Sequence, residues 1–210
     1  MFFSGPLSLL LSNPVLFFAF AIAVVVSISV HEFAHALAAD KLGDQTPRYQ
    51  GRLSLNPLVH LDPVGTIMIL FLGIGWGKPV MFNPWNLKNP KFDSALISIA
   101  GPMSNFLNAL IFSLLYRVVP APGNGFFVLL ITFNITLGVF NLIPMPPLDG
   151  YKVVGGILPK NLSHQWSMLE RYGFYILILM ILPVGNGSIL SLILEPVTRI
   201  LLGILTGTKY

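Results

Sequence analysis

The chain has 210 residues, of which 54% are hydrophobic and only 10% are charged. A soluble domain carries about 25% charged residues, so this composition excludes that class and predicts a polytopic membrane protein. The net charge is +4, and no basic run is interleaved with aromatic residues, which argues against a nucleic-acid partner. Cysteine is absent, which excludes disulfides and thiolate metal ligands.

The apolar segments are consistent with an all-α fold of about five spanning helices in a single membrane-embedded domain over residues 1–210. A spanning helix needs about 20 apolar residues, and Pro14 to Leu42 provides the first. Gly43 is expected to end that helix. The segment from Pro63 to Gly75 has only about a dozen residues, too few to cross a core of ~30 Å, and is predicted to be re-entrant.

Glycine and proline residues between Trp76 and Pro90 exclude a long helix there. Within that stretch, Val80, Met81 and Phe82 are predicted to form a short strand, the small β element of the fold. The remaining spans are predicted at about 93–119, 126–142, 166–182 and 188–205.

The basic residues sort to one side of the membrane if the short segment does not cross. That side is cytoplasmic by the positive-inside rule, and the N-terminus is then outside. The chain is therefore expected to be a multi-pass protein of the cell (plasma) membrane, with its active site toward the cytoplasm. Arg117 is the main exception to a set that comprises Lys41, Arg48, Arg52, Lys78, Lys88, Lys91, Lys152, Lys160 and Lys209.

The first predicted span contains His31, Glu32 and His35 in an H-E-x-x-H pattern. Residues i and i+4 share one helical face, so both imidazoles can reach one metal ion. A carboxylate beside them can accept a proton from a water molecule at that metal. Ionisable side chains near the bilayer centre cost on the order of 2.5–3.5 kcal/mol each, and a bound metal gives these three a common reason to be there.

Two histidines do not complete a catalytic zinc site, which usually has three protein ligands. Asp149 is a candidate because it follows three prolines at the end of an apolar span, and broken helix at membrane depth normally lines a cavity. From spacing alone, Asp149 could equally cap a helix that begins near Tyr151. Asp62 is a rival third ligand.

Two motifs in this order resemble the site-2 protease family of intramembrane zinc proteases: H-E-x-x-H at residues 31–35 and N-x-x-P-x-P-x-x-D-G at residues 141–150. Residues 56–66, 77–80 and 100–105 resemble the compact bacterial and archaeal branch of that family. The resemblance covers about residues 14–160. Trp85 departs from it, because an arginine is expected at that position.

The resemblance implies one zinc ion per chain, three ligands and a catalytic base, which are His31, His35, Asp149 and Glu32. It also implies that Asn105 and Asn141 line the cleft and hydrogen-bond the substrate backbone or the developing oxyanion. Either asparagine could instead form an interhelical hydrogen bond. His60 and Asp62 then become structural or gating residues.

The expected function is an intramembrane zinc endopeptidase that cuts in or near the transmembrane segment of a single-span membrane protein or a signal-peptide remnant. The lipid bilayer is its other partner, and the oligomeric state is left open. The edge formed by Val80, Met81 and Phe82 is expected to pair with an extended substrate. A metal transporter or channel could use the same His and Asp ligands, and a catalytically silent scaffold is a third reading.

Overall fold

The computed structural model describes residues 6–73, 75–121, 123–185 and 187–208, and these residues are mainly helical. Lys209, one of the residues used to predict topology, lies outside them, as does Ile74 within the predicted re-entrant segment. In chain order the helices are α1 (Ser8–Ser12), α2 (Pro14–Leu42), α3 (Thr46–Tyr49), α4 (Pro63–Leu72), α5 (Pro90–Val118), α6 (Gly125–Leu142), α7 (Asp149–Ile157), α8 (Lys160–Ser167), α9 (Gly173–Ile181) and α10 (Ile189–Thr206).

Within the described residues, four helices are long and apolar enough to cross a membrane: α2, α5, α6 and α10. They coincide within a few residues with four of the five predicted spans. The all-α polytopic class is therefore confirmed. The number of candidate spans is four rather than about five.

The helices α2, α5 and α6 form an antiparallel group in which α5 lies between the other two. The Asn105 amide of α5 donates to the Ser27 carbonyl of α2 at 3.1 Å and to Asn134 Oδ1 of α6 at 3.0 Å. Asn105 and Asn134 are fully buried. Interhelical hydrogen bonds of this kind satisfy polar groups that have no access to water in a bilayer.

The short helix α4 agrees with the prediction of a segment that does not cross. Its ten residues correspond to about 15 Å, half the hydrocarbon thickness. Asp62 caps its start by accepting from the Gly65 amide at 2.8 Å, and Gly73 ends it with a φ of 76°. Its Ile69 packs against Val24 and Ile28 of α2, so α4 is supported by protein.

The predicted span at 166–182 is wrong. The segment divides into the end of α8, a 3₁₀ turn at Glu170–Tyr172 and α9, which has only nine residues and a length of about 13 Å. Glu170 and Arg171 interrupt the apolar sequence at this turn. At Gly173 the chain packs so closely on Pro146 that an added Cβ would lie 2.6 Å from the Pro146 carbonyl oxygen.

Because that segment does not cross, α10 runs in the opposite direction to the one predicted. Arg117, near the end of α5, donates to the Leu205 carbonyl near the end of α10 at 3.1 Å. A cation is favourable beside the last carbonyls of a helix, which accounts for the one basic residue that the topology did not explain. The end of α10 therefore lies where α5 ends.

The strand predicted at Val80–Phe82 is also wrong, because those residues have no strand neighbour in the described chain. The small β element lies instead at β1 (Pro183–Val184) and β2 (Gly187–Ser188), which pair antiparallel. Near the predicted strand, Leu61 and Gly77 form an isolated antiparallel bridge, and the Lys78 amide donates to the His60 carbonyl at 2.8 Å. Pro79 then lacks the N–H that would extend the pairing.

This topology predicts which sites react with a membrane-impermeant thiol reagent in sealed vesicles. Single cysteines at Gln50 and Trp85 should label from one side, because Asp44 binds the 83–86 turn to the end of α2. Cysteines at Ala121 and Thr208 should label from the other side. The parent chain has no cysteine, so background labelling is absent. Labelling of Thr208→Cys from the same side as Gln50→Cys would contradict the direction of α10.

Candidate metal centre and active site

The helix α2 places His31 and His35 one turn apart on a face directed into the protein. They are 5% and 8% exposed, and their Nε2 atoms lie 3.0 Å apart. Each Nδ1 atom has its own partner: Asn105 Oδ1 at 2.6 Å from His31 and the Ile97 carbonyl at 2.7 Å from His35. Both partners come from α5, so the α2–α5 packing sets the orientation of both rings.

Two backbone groups determine which nitrogen of His31 carries the proton. The Leu130 carbonyl accepts from Asn134 Nδ2 at 2.8 Å, so Asn134 Oδ1 is the atom left to accept from Asn105 Nδ2. Asn105 Nδ2 also donates to the Ser27 carbonyl, and Asn105 Oδ1 therefore faces His31 as an acceptor. An amide oxygen cannot donate, so Nδ1 of His31 carries hydrogen and the lone pair of the neutral ring is at Nε2.

Asp149 is the first residue of α7 and reaches the same point. Its Oδ2 atom lies 3.1 Å from Nε2 of each histidine. Among the described contacts, Asp149 makes no capping hydrogen bond to α7, so the alternative role of this residue as a helix cap is not supported. Gly150 packs against the end of α6 so tightly that a Cβ there would lie 2.5 Å from the Ile143 carbonyl oxygen, and this contact holds α7 over α2.

The three side chains fit a metal ion. Nε2 of His31, Nε2 of His35 and a carboxylate oxygen of Asp149 all lie within 4.8 Å of one another. With both Nδ1 atoms donating to fixed acceptors, two imidazole lone pairs and one carboxylate oxygen converge on one small volume. Such a set of acceptors needs a cation between them, and two nitrogens with one carboxylate oxygen are a donor set that zinc takes.

Gly101 of α5 leaves the space that the imidazoles occupy. A Cβ built at this position would overlap His35 Nε2 and would lie 2.7 Å from His31 Cε1. The close approach that a glycine allows at this position is specifically to the two candidate ligands. The absence of a side chain at position 101 is therefore part of the site.

Glu32 lies beside the two histidines on α2, and its carboxylate has a partner in the loop above it. Oε2 of Glu32 accepts from the Val80 amide at 3.0 Å. The neighbouring backbone is also close, because a Cβ at Gly77 would lie 3.5 Å from Oε1 of Glu32. The segment predicted to present substrate is thus in direct contact with the predicted base.

Two buried charges that sequence reasoning did not single out as functional hold that segment. Arg52, 4% exposed, donates from its guanidinium to the carbonyls of Val59 and Lys78. Asp44, fully buried, accepts from the Asn83 amide at 2.6 Å and from Asn86 Nδ2 at 2.7 Å. Burial raises the pKa of Asp44, but hydrogen bonds from Thr46, Asn86 and Asn83 outweigh it and lower the pKa, which keeps the carboxylate ionised.

His60 and Asp62 are not part of the metal group. His60 is fully buried, with Nε2 2.6 Å from the Ser54 carbonyl, and burial lowers its pKa, which favours the neutral ring at pH 7. Asp62 caps α4. The rival choice of third ligand is therefore not supported, and both residues have structural roles.

Asn105 contacts a candidate ligand in this structure, and its predicted contact with substrate stays a prediction. Asn105 is fully buried, and its oxygen and nitrogen are engaged with His31, Ser27 and Asn134. Asn141 is partly buried and donates to the Leu137 carbonyl at 3.0 Å, which leaves its substrate role a prediction. The sequence contained one indication of this contact, because Asn105 lies one helical turn after Gly101. In the structure both residues are on the face of α5 toward α2.

Replacing Asn105 with alanine removes the acceptor that holds His31. We expect the metal affinity of the purified variant to fall about 10-fold to 100-fold, the usual cost of losing a group that orients a ligand. Asn108→Ala is the matched control, because the Asn108 amide makes only a 3.4 Å contact to Asn134. Competition with a chelator of known affinity measures the change. Unchanged metal affinity together with weaker substrate binding would restore the original role of Asn105.

Residues 118–183 match peptidase family M50, in a segment that contains Asp149. The chain is 41% identical to YwhC of Bacillus subtilis over 177 residues, which cover 79% of this chain and 81% of YwhC. It is 29% identical to Rip2 of Mycolicibacterium smegmatis over 75% of this chain and 64% of Rip2. It is 26% identical to MJ0392 of Methanocaldococcus jannaschii over 74% of this chain and 39% of MJ0392. No solved structure is matched at a significant level.

All three relatives are named as zinc metalloproteases. The identity to YwhC extends over most of both proteins, and the four apolar helices and the His-His-Asp group agree with a membrane-embedded zinc enzyme. The chain therefore belongs to peptidase family M50, the site-2 protease family, and is a multi-pass zinc metalloprotease.

Proposed function

We propose that this zinc metalloprotease is an intramembrane endopeptidase in which His31, His35 and Asp149 hold the zinc ion and Glu32 is the catalytic base. The observation that carries the proposal is the convergence of the three ligand atoms inside a helix bundle. Both histidines belong to a helix of the length and hydropathy of a membrane span. A peptide bond cut there would lie in or near a transmembrane segment.

The chain's own groups divide the chemistry between them. Zinc would activate a water molecule for attack and polarise the scissile carbonyl. Glu32 accepts the proton of the attacking water and returns it to the amine nitrogen of the leaving peptide. The Val80 amide holds the Glu32 carboxylate in position, and the α5 groups that bind both Nδ1 atoms keep the imidazole lone pairs directed at the metal.

Glu32→Gln tests the separation of base from ligands. The variant should lose about 10²-fold to 10⁴-fold in peptidase activity, because the amide cannot accept the proton, yet retain near-stoichiometric zinc. His31→Ala, His35→Ala and Asp149→Ala should lose zinc as well as activity. Elemental analysis and cleavage of a labelled single-span substrate by detergent-purified protein measure both properties. Full zinc in Asp149→Ala would refute the third ligand, and cleavage by Glu32→Gln would refute the base.

The segment Val80–Phe82 is proposed to hold the substrate in an extended form. A helix hides its peptide bonds within its turns, so cleavage requires local unwinding, and the freed N–H and C=O groups then need partners in a dry site. Among the described contacts, the backbone groups of Met81 and Phe82 have no backbone partner, and Met81 is 63% exposed. Pairing with this segment would satisfy the unwound substrate next to Glu32.

Met81→Pro should slow cleavage about fivefold to tenfold without loss of zinc, because it removes one backbone donor from the proposed edge. Met81→Ala is the matched control, since it keeps the donor and should cleave at nearly the normal rate. A substrate with glycine near the scissile bond should be cut faster than one with a continuous leucine helix. If Met81→Pro cleaves normally and both substrates are cut equally fast, pairing with this segment is not how substrate is presented.

The substrate class is proposed to be single-span membrane proteins, as in regulated intramembrane proteolysis, or signal-peptide remnants. The active-site end of α2 is proposed to lie on the cytoplasmic side of the plasma membrane, and the distribution of the basic residues supports that side through the positive-inside rule. The membrane peptides that accumulate in cells carrying Glu32→Gln would identify the substrates. Accumulation of no membrane peptide, with normal zinc and normal expression of the variant, would argue against this class.

A further inference from the structure

Glu195 and Arg199 form an ion pair in the middle of α10. Arg199 Nη2 lies 2.6 Å from Glu195 Oε1, and the two side chains are 57% and 65% exposed, respectively. The helix has 18 residues, or about 27 Å, with Glu195 about 9 Å from its start and Arg199 about 10 Å from its end. Both charges therefore lie at membrane depth on the outer surface of a single chain.

Charged side chains at that depth face the protein interior or a polar cavity, because lipid cannot solvate them. Of the four candidate spans, α10 is the least covered by other parts of the protein. In its apolar stretch 17% is buried, compared with 28–39% in the other three spans. Leu192, on the same helical face as the charged pair, is 74% exposed. Within the described residues, this face lacks the protein contacts that its charges require.

A groove of about 410 Å³ runs beside the pair, between α10 and α6. Its lining combines apolar and polar side chains, and the Thr198 hydroxyl is buried with no hydrogen-bond partner among the described residues. Within the described part of one chain, the polar groups of the groove therefore do not all have hydrogen-bond partners. The lining includes Thr136, Ser191, Glu195, Thr198 and Arg199.

We propose that this face of α10 binds the same face of a second copy of the chain, forming a two-fold dimer within the membrane. Two parallel helices related by an axis along the membrane normal place Glu195 near the partner's Arg199, and Arg199 near the partner's Glu195. Four residues correspond to an offset of about 6 Å, which these long side chains can span. The patch carries one charge of each sign, so it is complementary to itself, as a two-fold interface requires.

The other occupants match these features less well. A substrate helix would have to bring an acid and a base in the correct order, whereas a second copy always does. A lipid headgroup would have to descend about 9 Å from the membrane surface to reach Glu195. A second copy also covers Leu192, which lies on the same face as the charged pair.

Disulfide cross-linking of the full-length protein in native membranes tests the dimer. The chain has no cysteine, so Leu192→Cys gives one thiol per copy on the face of the charged pair. Oxidation with copper phenanthroline should produce a band of two chains. Leu107→Cys on α5 is the matched control, since Leu107 is 58% exposed and Leu192 is 74% exposed. Equal cross-linking at both positions, adducts only with other proteins, or no adduct at Leu192→Cys would each overturn the proposal.

Charge reversal shows whether the ion pairs hold the interface. In the Leu192→Cys background, Glu195→Lys alone and Arg199→Glu alone should each reduce the cross-linked dimer about tenfold, because like charges then face each other. The two variants expressed together with different tags should regain a mixed dimer, because each supplies the charge the other needs. Zinc content checks that each variant is folded. Normal self-association of folded single variants, or no mixed dimer between them, would overturn the proposal.

Discussion

The site depends on one chain of hydrogen bonds that begins at a backbone carbonyl of α6, ends at Nδ1 of His31 on α2, and so directs Nε2 of that ring at the metal site. The Leu130 carbonyl orients Asn134, Asn134 orients Asn105, and Asn105 accepts from Nδ1 of His31. A reversed amide anywhere in this chain would place two donors or two acceptors together in a medium without water. The packing of α2, α5 and α6 therefore determines the direction of the His31 lone pair.

A second set of buried groups controls what lies over Glu32. Asp44 and Arg52 are charged and almost fully buried, and each satisfies backbone groups of the loop between α4 and α5. Burying a charge is tolerated when hydrogen bonds satisfy it. Here the partners are backbone groups at the two ends of the segment that includes Val80. Glu32, the proposed base, consequently contacts a backbone amide that is held in place, although the segment belongs to no sheet within the described residues.

Much of this could be predicted from the sequence because a membrane constrains it strongly. A run of about 20 apolar residues has few alternatives to a spanning helix, which is why α2, α5, α6 and α10 coincide with predicted segments. A metal site at His31, Glu32 and His35 was predictable because three ionisable groups at membrane depth need a common reason to be there. Spacing alone left Asp149 open as the third ligand, and the resemblance to a known family selected it. Residues 166–182 were mistaken for a span because their hydropathy does not reveal the contact between Gly173 and Pro146. The partner of Asn105 also depends on the packing of three helices, which no local pattern specifies.

The exclusion of water from the membrane separates two kinds of polar residue that this chain carries at membrane depth. Asn105 and Asn134 are fully buried, and their interhelical bonds complete each other within one chain. Glu195 and Arg199 satisfy each other but still face outward from a helix that is largely uncovered. An exposed ion pair is ordinary in water, where it contributes little, but in hydrocarbon it needs surroundings that one copy does not provide. The interior of the bundle therefore serves the metal site, and the outer face of α10 is where the chain requires another protein surface.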